Sequence, residues 1–228
     1  MVSISSRKLR LIKALIFDMD GLMIDSERLY FQSERDIAKR YRRHVKDETL
    51  WKMMGRSPDE SMKFFVEELQ LPLSPGEALN MRNCIMREKL KTDLKPMSGL
   101  THILDTFYGS LKLAVCTGAQ KEFLDIVVDR LGIREKFAVL QASDEIRRGK
   151  PDPEIYLTVC TKLGFNPYDC VVLEDSSNGA LAGKRAGCCV IAIPSEYTLR
   201  QDFSFVDYVA DDLFHAEKHI LDLIKRSS

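Results

Sequence analysis

The chain has 228 residues, 45% of them hydrophobic, and its 34 basic side chains cancel its 34 acidic ones. That length and apolar content exclude a disordered chain and leave room for one large domain or a domain with an insertion. A neutral balance offers no field to nucleic acid or to an anionic membrane surface, so the expected partner is a small molecule.

The first ten residues, MVSISSRKLR, are basic with no apolar stretch behind them and read as a short frayed tail; no window approaches a membrane span. ALIF (Ala14 to Phe17) reads as a buried strand that runs into two acids one residue apart, Asp18 and Asp20, and then into Gly21. From Glu27 to Leu90 the pattern is helical, with charges interleaved among Leu, Met and Phe. Within it SPDE (from Ser57) and SPGE (from Ser74) each offer a Ser N-cap, a Pro at the first helical position and a Glu three residues after the cap, two helix starts. Beyond Pro96, helices and strands alternate: a helix near Gly99 to Tyr108, strand LKLAVC, a helix from Ala119 to Leu131, strand FAVL, a helix from Pro153 to Leu163, strand CVVLE, a helix from Ser177 to Ala186 and strand CCVIAI. Alternation with short connections predicts an α/β fold, a Rossmann-like parallel sheet covered by helices on both faces. The first strand belongs to that sheet although the helical stretch separates it from the next. The expected division is a core of residues 1–26 and 93–228 and a small α-helical domain, 27–92, inserted after the first strand.

Ligands of open parallel sheets bind outside the carboxyl ends of the strands, near the switch in strand order. Those ends carry Asp18 and Asp20 on the first strand, Thr117 and Gly118 on the second, Lys150 in the loop after the third, and Glu174 and Asp175 on the fourth. Acids suit a divalent cation; a hydroxyl and an ammonium suit phosphate. Residues two apart on a strand point the same way, so Asp18 and Asp20 face the ligand together while Met19 faces away. Gly21 permits the tight reversal that follows. Asp18, Asp20 and Asp175 can supply the oxygens that Mg²⁺ requires. The sequence offers no Ser/His or Cys/His pair in this part of the sheet, so a nucleophile here would be a carboxylate near the metal.

DMDG, Thr117 after an apolar strand, the lysine of GKPDP and EDSSNG together resemble the four motifs of the haloacid dehalogenase superfamily, in order and over nearly the whole chain. The resemblance implies a small helical cap over the site and a Mg²⁺-dependent phosphoric monoester hydrolase. It implies Asp18 as nucleophile of an aspartyl-phosphate intermediate and Asp20 as general acid and then base. Mg²⁺ would be held by the Asp18 side chain, the Asp20 main-chain carbonyl and Asp175, with Glu174 nearby, and phosphate by Thr117 and Lys150. DGLMIDSERLYF is similar to the β-phosphoglucomutase-like group, which includes pseudouridine-5'-phosphatase and 2-deoxyglucose-6-phosphatase. The mutases of that group carry a histidine where this chain has Tyr30, so a phosphatase of a sugar phosphate or a nucleoside monophosphate is favoured. A phosphomutase and a non-catalytic phosphate-binding regulator are the alternatives.

The remaining features read less sharply. Glu174 could support a metal or make a structural hydrogen bond, and Thr117 could cap the next helix as well as bind phosphate. Lys150 could merely begin a proline turn. Arg56, just before a helix start, and Glu27, at the entrance, are candidate substrate contacts; Arg56 could equally be a surface charge. His215 and His219 lie four apart on a helix and could share a metal, but no third ligand is apparent and they read as an exposed helical face; RYRR (Arg40 to Arg43) reads as a solvated helix end. Six cysteines without CxxC spacing suit reduced, buried thiols and a cytoplasmic protein; the expected state is a monomer, and the partner that the resemblance implies is a small phosphorylated metabolite.

Overall fold

The computed structural model describes residues 11–227, and the basic tail lies outside the described residues. β1 (Ala14–Phe17), β2 (Lys112–Cys116), β3 (Val139–Gln141), β4 (Cys170–Glu174), β5 (Cys189–Ala192) and β6 (Tyr208–Val209) form one sheet. Every pairing is parallel. The order is β3-β2-β1-β4-β5-β6, so the chain steps outward from β1 to β3 and then returns to the other side of β1. The switch in order therefore falls beside β1, the strand that ends on the acids.

Alternation along β1 sends Leu15 and Phe17 into one apolar layer and Ala14 and Ile16 into the other. The first layer receives α5 (Leu100–Phe107), α6 (Lys121–Arg130) and α9 (Leu213–Ser227); the second receives α7 (Glu154–Leu163) and α8 (Ser177–Ala186). Both faces of the sheet are covered, which is why its strands read as unbroken apolar runs. Three expectations shift in detail. FAVL pairs residue for residue only from Val139, although Ala138 N–H already donates to the Leu113 carbonyl at 2.8 Å, and the Phe137 ring lies edge-on to Phe17, 6.2 Å between centroids. The helix expected from Ala119 starts at Lys121. β6, two exposed residues, carries no apolar run that the sequence reading could have caught.

Between β1 and β2 run α1 (Ser26–Arg40), α2 (Asp47–Met53), α3 (Pro58–Leu69) and α4 (Pro75–Thr92). Both expected starts are present: Ser57 with Glu60 and Ser74 with Glu77 form reciprocal capping boxes with Pro at the first position. These helices close around an apolar cluster of their own, with Phe31, Ile37, Leu50, Met62, Phe65 and Ala78 among its members, while Leu29, Met86 and Leu90 reach into the layer over the sheet. The chain enters and leaves the insertion side by side. Asp25 N–H donates to the Lys95 carbonyl at 3.1 Å and Met97 N–H to the Met23 carbonyl at 2.9 Å. Arg28 clasps both sides, donating to Asp25 at 3.0 Å and to the Asp93 carboxylate at 2.6 Å.

Among the described residues no helix is long and apolar enough to cross a membrane. All six cysteines are free thiols, five of them buried and Cys84 exposed. Phe65 is fully buried at the centre of the insertion's cluster. Phe65→Ala is expected to cost about 3–5 kcal/mol in urea unfolding, whereas a loss under about 1 kcal/mol would mean that these helices do not rest on a packed core of their own.

Candidate active site

The register of the sheet assembles the site. Phe17 pairs with Val115 on one side and Leu173 on the other, so β1, β2 and β4 end level and the next residues, Asp18, Cys116 and Glu174, emerge together. Asp18 N–H still donates to the Leu173 carbonyl at 3.0 Å, and Thr117 N–H to the Gln141 carbonyl at 3.0 Å. Lys150, from the loop after β3, reaches into this row. Its ammonium donates to Asp18 Oδ1 at 2.5 Å, to Glu174 Oε1 at 2.6 Å and to the Cys116 carbonyl at 3.2 Å. Asp18, Asp175 and Glu174 are all buried, Glu174 completely.

Glycine makes this crowding sterically possible. Gly21 has φ +76°, and a methyl group there would overlap the Asp175 carboxylate; a methyl group on Gly179 would overlap that of Glu174. The first is the reversal expected after DMDG, and it has a second purpose: only a residue without Cβ lets the β1 loop lie against the acid at the end of β4. Glu174 is fully engaged. Oε1 accepts from Lys150 and from Tyr156 OH at 2.7 Å, and Oε2 accepts from the Ser176 amide at 3.2 Å and hydroxyl at 3.1 Å. Thr117 makes both contacts open to it, accepting from the Ala119 amide at 3.0 Å and donating to Asp20 Oδ2 at 3.1 Å. Ser195 Oγ donates to Asp175 Oδ2 at 3.4 Å.

Charge does not balance here. Asp18, Glu174 and Asp175 face a single ammonium. Burial pushes the Asp18 carboxyl well up from its ordinary value, Lys150 opposing and Glu174 adding to the rise. Asp175 is likewise raised by burial and then by Glu174 and Asp18. Burial also raises Asp20, and the Ser26 and Thr117 hydroxyls draw it back. For Lys150 burial works against the charged form, but Asp18 and Glu174 outweigh it and hold the ammonium well above its usual range. Asp18, Glu174 and Asp175 each present a carboxylate oxygen, the three within 4.8 Å of one another. Such an all-oxygen, electron-rich set fits a hard divalent cation such as Mg²⁺.

The ends of the strands open into a cleft of about 540 Å³ whose other walls come from the insertion. Asp20, Gly118, Ala119 and Gln120 form its floor, where the amino end of α6 points inward, and Glu27, Tyr30 and Arg56 contribute from the helices. Arg56 is at the rim: it is exposed, its Nε donates to the Lys52 carbonyl at 2.8 Å, and its guanidinium lies 4.7 Å from the Phe64 ring centre. The sequence reading did not single out Glu34 or Arg82, which also line the cleft. The spacing Glu27, Tyr30, Glu34, one face of α1, was a visible signal; Arg82, a lone charge between Met81 and Asn83, has no charged partner three or four residues away to mark it. The histidines do not share a ligand position. His215 pairs with Asp211 at 3.0 Å, whereas His219 stacks on Tyr208 with centroids 3.7 Å apart. Arg40, Arg42 and Arg43 are exposed at the end of α1, as expected.

A parallel sheet whose switch point carries acids, a lysine and a threonine beneath a helical insertion defines a hydrolase of the α/β class. The profile of the haloacid dehalogenase-like hydrolases matches residues 15–193, and the chain belongs to that family. It is similar to a phosphorylated carbohydrates phosphatase of Thermotoga maritima, 34% identical over 77% of this chain and 82% of the relative. It is also similar to the (DL)-glycerol-3-phosphatase 2 of Arabidopsis thaliana, 31% identical over 89% and 86%. The structure of CbbY from Rhodobacter sphaeroides in complex with phosphate shares its fold with a TM-score of 0.80, at 23% identity over 89% of this chain and 95% of that one. The protein is a phosphoric monoester hydrolase.

Removing the ammonium leaves two buried carboxylates facing each other. Lys150→Met is expected to lose about 3–5 kcal/mol of stability in urea unfolding with EDTA present, and a loss below about 1 kcal/mol would contradict the ion-pair reading. A second expectation concerns pH. Burial, with Glu27 adding and Arg82 and Arg35 opposing, pushes Glu34 from 4.5 up to about 8. A raised folded-state value means that the native state holds the proton longer, so a stability penalty grows above pH 4.5 and is complete above about 8. Glu34→Gln, which cannot ionise, should match the wild type in melting temperature near pH 4.5 and exceed it near pH 9; parallel curves would refute the assignment.

Proposed function

We propose that the protein is a Mg²⁺-dependent phosphatase of a small phosphorylated metabolite, a sugar phosphate or a nucleoside monophosphate, working through an aspartyl-phosphate intermediate. The observation that carries this is the level ending of β1, β2 and β4, which lets Lys150 bond Asp18 and Glu174 beside Asp175, while Thr117 bonds Asp20, which lines the cleft. Asp18 is the nucleophile: its carboxylate oxygen bonds to phosphorus as the ester oxygen leaves. Asp20, with a carboxyl raised by burial, gives that oxygen its proton. It then takes a proton from the water that attacks phosphorus, which frees phosphate and restores Asp18. Lys150 and Thr117 face the phosphoryl oxygens, with the Gly118 end of the α6 approach beside them. Mg²⁺ would be held by the Asp18 and Asp175 side chains and the Asp20 carbonyl. When bound it neutralises charge on the phosphoryl oxygens, which an anionic nucleophile requires. Glu174, whose oxygens are already taken by Lys150, Tyr156 and Ser176, holds Lys150 in place beside the ion.

Residues 27–92 act as a cap that excludes water from the cleft and reads the leaving group, since the core touches only the phosphoryl group. Glu27 and, at the rim, Arg56 belong to that reading surface. Tyr30, in the position where the related mutases carry histidine, favours hydrolysis over phosphoryl transfer between sugar positions. Free thiols, mostly buried, support a cytoplasmic setting.

The test is phosphate release from a panel of phosphomonoesters, expected with Mg²⁺, lost with EDTA and restored by excess Mg²⁺. Asp18→Asn should lower kcat by about 10³-fold or more while keeping the wild-type circular dichroism. A folded Asp18→Asn protein that keeps a tenth of the activity would rule out the nucleophile.

A further inference from the structure

All three hydrogens of the Lys150 ammonium are engaged. They go to Asp18 Oδ1, to Glu174 Oε1 and to the Cys116 carbonyl. A phosphoryl oxygen that binds Lys150 therefore enters a set that is already full, and the strength with which each partner holds the ammonium decides how much of its charge is left for that oxygen. The Cys116 carbonyl is neutral and the most distant of the three, at 3.2 Å. The two carboxylates are the strong competitors, and Glu174 is the more deeply buried of them.

One more group reaches that carboxylate. Tyr156, in the first turn of α7, donates its hydroxyl to Glu174 Oε1 at 2.7 Å, the same oxygen that accepts from Lys150 at 2.6 Å. Tyr156 and Glu174 are both completely buried. The centre of the Tyr156 ring lies 5.1 Å from the Lys150 nitrogen, so the ring gives the ammonium a weak second support. The other buried residues of α7, Ile155, Val159 and Cys160, belong with Tyr156 to the apolar layer beneath the sheet. A phenylalanine would fill the same space in that layer; the hydroxyl adds the bond to Glu174.

We infer that Tyr156 is a positioning residue for the hydrolysis and acts through Glu174: its hydroxyl takes up part of the charge on Oε1, so that Glu174 orients Lys150 while leaving the ammonium available to Asp18 and the phosphoryl group. The inference rests on the phosphatase reading above and adds a group that this reading does not use. A hydrogen bond to a carboxylate stabilises its charge and so lessens its demand on a neighbouring cation. Without the hydroxyl, Oε1 would have Lys150 as its one hydrogen-bond donor. Oε2 is already held by the Ser176 amide and hydroxyl, so the carboxylate could not turn to a substitute. The ammonium would be drawn toward β4 and away from β1. Phosphoryl transfer depends on neutralising the charge of the moving group, and it would lose part of that charge here. Lys150 faces phosphoryl oxygens alone, so the loss does not depend on which alcohol leaves.

The experiment uses Tyr156→Phe, which keeps the ring and removes the hydroxyl. With Mg²⁺, kcat/KM is measured for p-nitrophenyl phosphate and for the fastest metabolite ester of the panel described above, together with the competitive inhibition constant of inorganic phosphate. The variant should lose about tenfold or more in kcat/KM, by the same factor on both esters, and its inhibition constant for phosphate should rise about threefold or more. A loss of active protein lowers kcat but leaves that constant where it was, so a fall in kcat with unchanged phosphate inhibition would overturn the role. So would a kcat/KM within twofold of the wild type, or a loss confined to one ester, which would assign Tyr156 to the leaving group. A Tyr156→Phe protein that does not fold would assign the hydroxyl to stability and overturn the role as well. In each of these cases turnover by the wild type still upholds the phosphatase; a wild type that releases phosphate from no ester would sink both.

Discussion

One ammonium facing three buried carboxylates is the constraint around which this molecule is organised. Like charges at the ends of adjacent strands repel, and burial deepens the cost by removing water. Lys150 answers part of that charge through Asp18 and Glu174, and the three carboxylates lie close enough together to suit a hard cation as well. Burial opposes the charge on Asp18 and the Lys150 ammonium favours it, so the ionisation of this carboxyl is tied to the positive charge beside it. Gly21 and Gly179 belong to this arrangement as much as the acids do, since a side chain at either would push a carboxylate out of the cluster.

The sheet and the insertion divide the remaining work by their physical character. Strand ends are rigid, set by a parallel ladder buried on both faces, and they suit groups whose positions must be held to within about 0.5 Å. The helices α1 to α4 close around their own apolar cluster and offer a wall to the same cleft. Residues on α1 and α4 therefore face the cleft from a body with its own apolar cluster, separate from the register that aligns Asp18, Cys116 and Glu174.

The sequence was most legible where local physics decides the outcome. Ser57 with Glu60 and Ser74 with Glu77 are self-contained signals, and both helix starts fall where they point. The strands were readable because a sheet covered on both faces demands continuous apolar runs, and the acids stood out because they end such runs. The placement of Lys150 between Asp18 and Glu174 was not legible, for it depends on the approach of a loop from beyond β3. Glu34 and Arg82 were hidden for a related reason: in a helix rich in charges a buried ion looks like a solvated one, and only the packing of α1 against α4 distinguishes them. β6 escaped because two exposed residues bear no periodicity.

The paired entry and exit of the insertion have a mechanical consequence. With the chain around Met23 to Asp25 bonded to that around Lys95 to Met97, and Arg28 clasping both, the two connections form one joint, and α4 is tied a second time, to α6, through Arg87 and Glu122. The joint begins at Met23, three residues after Asp20 and two after Gly21, so the helices are joined to the sheet immediately beside the loop that ends β1.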